Sequence, residues 1–108
     1  MSAFDADYQP LYEMYDDEYF PDFLVDKIKA ELDKVEAVLA GGEKNTATIQ
    51  QHFDTMTRVI NDLESEFDEN DSEIETVARD SIAEAVDYLL QKYHVNIDVE
   101  EAIREREW

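Results

Sequence analysis

This chain of 108 residues contains no cysteine. Disulfides, thiolate nucleophiles and cysteine metal sites are excluded with it. Its two glycines are adjacent, Gly41-Gly42, whereas a phosphate-cradling loop and a Gly-x-Ser-x-Gly nucleophile elbow both need spaced glycines. Only two prolines, Pro10 and Pro21, interrupt it. Bases are scarce: 9 against 29 acids, for a net charge of −20. Bases so few and dispersed argue against nucleic-acid binding, and a duplex or a bare anionic membrane is repelled by this charge. No apolar run approaches the roughly eighteen residues of a membrane span. The first residues, Met1-Ser-Ala-Phe-Asp-Ala-Asp, lack the basic start and apolar stretch of a signal peptide. These features predict a cytoplasmic protein.

What is present is an apolar pattern of helical period. The length fits one domain, and a hydrophobic content of 44% is enough for a core despite the charge. Ile49, Phe53, Met56, Ile60, Leu63 and Phe67 recur at steps of four and three, which places them on one face of a helix. Asn45 or Thr46 caps its start. A second stripe, Val25, Ile28, Leu32, Val35 and Leu39, widened by Leu24 and Val38, predicts a helix from Asp22 to Ala40. Pro21 suits its first turn and Gly41-Gly42 its end. Ser72 with Glu75 has capping-box spacing. A third long helix is expected from Glu73 to Tyr93, with Ile74, Val77, Ala78, Ile82, Ala85, Val86, Leu89 and Tyr93 inward. The small residues Ala78, Ser81 and Ala85 allow a neighbouring backbone to approach closely. A short extended link with Val95 and Ile97 leads to a final short helix, opened by Asp98 with Glu101 at capping-box spacing. Trp108 is expected to pack back on the bundle.

Near the N-terminus, Met1 to Asp7 reads as a frayed end, and a short helix is expected from about Pro10 to Glu18. Tyr8, Tyr12, Tyr15 and Tyr19 are spaced by four, three and four, with Leu11 and Met14 on the same side. Asp16, Asp17 and Glu18 at its C-terminal end oppose the helix dipole, so tertiary contacts must hold it. No strand signal appears. The expected fold is all-α: an antiparallel three-helix core bundle with short N- and C-terminal helices, in a single domain.

The candidate chemistry is sparse. Asp68, Asn70 and Ser72 have the first spacings of a calcium loop, but Glu73 stands where glycine is needed and Arg79 where the bidentate glutamate belongs. The acids from Glu64 to Glu75 suit only loose, unselective divalent-cation binding. Neither His52 nor His94 follows a glutamate by three positions, so no Glu-x-x-His metal pair exists. His94 is placed to close a helix end. No cofactor is implied.

Tyrosines carry an apolar ring with a polar handle and suit interfaces. The six residues Tyr8, Tyr12, Tyr15, Asp16, Asp17 and Tyr19 are the candidate partner-binding set. The plainer alternative is that the tyrosines anchor the N-terminal segment to the bundle.

The stretch Leu11 to Pro21, with Met14-Tyr-Asp-Asp-Glu-Tyr-Phe-Pro21 at its centre, continues into Phe23 to Leu32. Here the chain resembles a family of small, acidic, uncharacterised bacterial proteins, over nearly its whole length. The resemblance implies a bacterial cytosolic protein with a compact helical fold. It brings no activity, cofactor or functional residue. It also makes high-salt adaptation less necessary as an explanation of the charge.

Three functions compete. The first is a helical protein-binding module whose acids steer a basic partner, with an immunity-type inhibitor of a basic, nucleic-acid-binding protein as its specialised form. The second is a small enzyme using carboxylates with His52 or a tyrosine. The third is a structural or stress-related protein without a dedicated ligand. The missing catalytic motifs favour the first.

Overall fold

The computed structural model describes residues 8–108; the frayed end expected over residues 1–7 lies outside them. Five helices follow in order: α1 Tyr12–Asp16, α2 Asp22–Ala40, α3 Thr46–Glu69, α4 Thr76–Lys92 and α5 Val99–Ala102. The fold is all-α, with α2, α3 and α4 around one core and the short helices flanking it.

The α3 stripe organises the packing. Ile49, Phe53, Met56, Ile60, Leu63 and Phe67 are all buried, and they share one cluster with Leu24, Val25, Ile28, Leu32, Val35 and Leu39 of α2. Lys27 at the start of α2 pairs with Glu66 near the end of α3 at 2.6 Å, so the two helices run antiparallel. Tyr93, just past the end of α4, donates its hydroxyl proton to Glu36 near the end of α2. The core helices therefore run up, down and up.

The backbones of α3 and α4 do not approach one another: no pair of their Cα atoms lies within 8 Å. The C-terminal segment packs against both. Asp54 on α3 receives two hydrogen bonds from Arg104, at 2.8 and 3.2 Å. Gln50 donates to the Glu101 and Ala102 carbonyls at 2.9 and 3.3 Å. Asn61 donates to the Glu105 carbonyl at 2.8 Å and accepts from the Glu107 N–H at 3.0 Å. Residues spaced along one face of α3 thus hold the segment in register, while Ala102 and Ile103 fill the core. Trp108 packs on the core, as its sequence position predicted.

All three long helices close in the same way. Gly42, Asp71 and His94 have left-handed backbone, with φ of 96°, 57° and 53°. The following residue donates five positions back: Glu43 to Val38, Ser72 to Phe67 and Val95 to Leu90. This closure satisfies carbonyls that a helix end would otherwise leave open. It explains why the expected start of α4 was too early. Ser72 belongs to the closure of α3, and α4 begins at Thr76 after Glu75, without a side-chain cap. The other two caps form: Asn45 accepts from the Thr48 N–H, and Asp98 from the Glu100 N–H. Glu101 pairs with Arg104 at 3.0 Å.

The N-terminal helix is shorter than its sequence pattern suggests. Leu11 takes φ 64° immediately before it, a conformation costly for a bulky residue. Leu11 is nonetheless 1% exposed; burial of its side chain offsets backbone strain. Asp17 ends the helix in extended backbone and accepts from the Tyr19 N–H at 2.9 Å. The small-residue stripe of α4 receives α1: Ala78, Ser81 and Ala85 are buried, and Ser81 donates to Glu13 at 2.8 Å.

Phe53→Ala should cost about 3–5 kcal/mol, because the ring is fully buried and its removal leaves a cavity in the core. Urea melting checks this; a loss below about 1 kcal/mol contradicts the assignment of Phe53 to the core. Asp71→Gly should gain roughly 0.5–1 kcal/mol by relieving left-handed strain, and it also removes a negative charge from the end of α3. His94→Gly should gain less. Destabilisation by both would contradict strain at these closures.

Candidate functional site

The six residues expected to form an interaction surface separate into two groups. Tyr8 and Tyr15 are half-buried against the core. The Tyr8 ring stacks on Tyr88, with centroids 4.4 Å apart, and the Tyr15 hydroxyl donates to Asp26 at 2.6 Å. Burial raises both phenols' pKa values, reinforced for Tyr8 by the charges of Glu84 and Glu13 and for Tyr15 by the bond to Asp26. These two tyrosines anchor. Tyr12 and Tyr19 are 55% and 41% exposed, and Asp16 and Asp17 are also exposed.

Two further large apolar side chains join them at the surface: Phe23 at 51% exposure and Val77 at 39%. Val77 was expected inward, but it lies in the first turn of α4, beyond the buried Ala78. Phe23 sits beside Leu24 and Val25 but off their buried face. Its signal in the sequence was an apolar residue outside the helical stripe.

Tyr19, Phe23 and Val77 occupy the end of the bundle where α2 starts, α3 stops and α4 starts. The densest acidic stretch of the chain lies there as well: no base occurs from Asn61 to Val77. Asp17, Tyr19, Glu73, Glu75 and Val77 line one open groove. Partial desolvation and the charges of Glu73 and Glu75 raise the Tyr19 phenol's pKa, so it stays a neutral hydrogen-bonding group. Glu73 and Glu75 were expected only as part of a loose cation-binding stretch and not in the partner-binding set, because only the fold brings the link after α3 beside the turn before α2.

Elsewhere the ionisable groups are dispersed. His52 is exposed on α3, and His94 closes α4. Among the described residues, no group of three or more His, Cys, Asp or Glu side chains is placed to hold a metal ion. Two carboxyls are perturbed in opposite directions. Burial pushes Asp54 up, but hydrogen bonds from Arg104 and Gln50 outweigh it and leave this carboxyl below its ordinary range. Burial and the nearby charge of Glu107 raise Glu64.

The two carboxyls give opposite pH signatures. The Asp54 contribution is complete above about pH 4, where the unfolded carboxyl is ionised, and is lost as pH falls through the lower folded value. Glu64 carries a charge that is unfavourable at neutral pH, and stability grows as pH falls through its raised folded value. Asp54→Asn should therefore lower the urea midpoint at pH 7, with the deficit closing in acid. Glu64→Gln should raise that midpoint, with the gain vanishing below about pH 4. Midpoints measured from pH 3 to 8 check both signs; shifts in the same direction at pH 7 contradict the assignment.

A family model described as a family of unknown function, DUF5713, matches residues 4–108. No curated protein matches the chain, and no solved structure does.

Proposed function

We propose that this chain, which belongs to the DUF5713 family, is a helical protein-binding module that docks a basic partner on the bundle end formed by the start of α2, the α3–α4 link and the start of α4. The supporting observation is the coincidence of exposed Tyr19, Phe23 and Val77 with the acidic, base-free stretch from Asn61 to Val77. Exposed aromatic and aliphatic groups supply area that gains from burial, while acids around them steer a positively charged surface and discriminate against acidic ones. Tyr12, in the first turn of α1, is the remaining exposed large apolar side chain. A basic, nucleic-acid-binding protein presents the complementary charge, so an immunity-type inhibitor is the specialised form of this reading. The setting proposed with it is the bacterial cytoplasm.

The absence of a catalytic motif enters this reading only as support. Of the two carboxyls with perturbed protonation, Asp54 is engaged by Arg104 and Gln50. A binding role instead uses features that the packing does not need: large apolar side chains left in water on one acidic end.

Affinity capture from the native host at low and moderate salt tests this reading. The wild-type chain should retain a basic protein more strongly at low salt. The purified partner should bind Tyr12→Ala/Tyr19→Ala/Phe23→Ala at least about tenfold more weakly, with the variant's helicity unchanged. His52→Ala, on the exposed surface near the other end of the bundle, should bind normally. Equal affinity for the triple variant, or retention of small molecules alone, would overturn the reading.

A further inference from the structure

We propose that the groove between the α1–α2 turn and the α3–α4 link receives an arginine side chain of the partner. This rests on the docking reading above and names the chemical group that enters the surface. Asp17 and Tyr19 come from the turn, Glu73 and Glu75 from the link, and Val77 from the first turn of α4. The groove is open to solvent, with about 500 Å³ of accessible space above these residues.

Carboxylates on a rim are ordinary in a chain with 29 acids. The apolar lining distinguishes this groove. Tyr19 and Val77 are two of four exposed large hydrophobic residues among those described, and they come from distant parts of the chain to line the same depression. The adjacent Phe20 ring is buried and meets Tyr19 edge-on at 5.1 Å, fixing the base of that side chain. A group that fits must offer apolar length and positive charge together.

Most bases of the described residues pair elsewhere. Lys27 pairs with Glu66, Lys29 with Asp33, and Arg58 with Glu105. Among the described residues, no lysine or arginine pairs with Asp17, Glu73 or Glu75. One oxygen of Asp17 is engaged by the Tyr19 N–H, leaving the other to accept from a ligand. An apolar side chain entering alone would desolvate these carboxylates without supplying a counter-charge. Lysine would supply a point charge, but no plane to stack. Arginine supplies methylenes for Val77, a guanidinium plane for the Tyr19 ring and a fork of donors for the carboxylates.

The probe is N-acetyl-arginine amide, titrated into the 15N-labelled chain. Potassium chloride at matched ionic strength and N-acetyl-lysine amide form the comparison arms. The arginine derivative should give saturable amide shifts confined to residues 17–20 and 73–78, with weaker saturation by lysine and no matching response to salt. Glu73→Gln/Glu75→Gln should reduce affinity about fivefold, and Tyr19→Leu should remove the preference for arginine over lysine. Shifts spread across the whole acidic surface, equal curves for the two amino-acid derivatives, or unchanged affinity in the double variant would overturn the proposal. A captured partner that needs Tyr12, Tyr19 and Phe23 but is indifferent to Glu73→Gln/Glu75→Gln would overturn arginine insertion alone and leave the docking reading standing.

Discussion

Burial of apolar side chains against self-repulsion is the exchange on which this structure depends. A net charge of −20 opposes any compact state. The stripe of α3 answers it by closing with α2, α4 and the C-terminal segment around one cluster, in which Phe20, Phe53 and Phe67 are essentially removed from water. Most carboxylates remain at the surface, where solvent screens them. The buried exceptions have partners: Asp54 holds Arg104, Glu36 accepts from Tyr93, and Glu31 pairs with Lys34. Most of the few bases pair with acids, at the surface or beneath it, and none occurs from Asn61 to Val77 at one end of the bundle.

The C-terminal segment is part of this exchange. With the α3 and α4 backbones apart, the bundle needs another element between them, and Ala102 and Ile103 supply its apolar contacts. Hydrogen bonds donated by Gln50 and Asn61 and accepted by Asp54 fix the segment's position along α3. The opposite problem arises at α1, which is too short to be stable in isolation. Buried Leu11 and Met14 and the anchored rings of Tyr8 and Tyr15 hold it on α4 and α2. Tyrosine is therefore structural at two positions and exposed at two others within one short stretch.

Helical period made the long elements legible in the sequence. The stripes of α2 and α3 predicted their buried faces, and Gly41-Gly42 marked the end of α2 correctly. Periodicity was less informative where a helix was assumed to continue. The spacing of Tyr8, Tyr12, Tyr15 and Tyr19 suggests one face only if all four lie on a helix, but α1 spans Tyr12–Asp16 alone. The left-handed Leu11 carries no residue-type signal comparable to glycine. Ser72 and Glu75 had the spacing of a cap, yet Ser72 was taken by the closure of α3. The candidate groove was harder still to foresee. Glu73 and Glu75 are separated from Asp17 and Tyr19 by more than fifty residues in the chain, and only tertiary packing puts them together.

The partition of the tyrosines into anchors and exposed contacts is central to the functional account, and hydroxyl-radical footprinting reads it directly, residue by residue. In the isolated chain, Tyr12 and Tyr19 should be oxidised faster than Tyr8 and Tyr15. In complex with the purified basic partner, Tyr19, Phe23 and Val77 should become protected while residues at the opposite end keep their rates. Equal oxidation of all four tyrosines in the free chain, or an unchanged Tyr19 rate in the complex, would contradict the account.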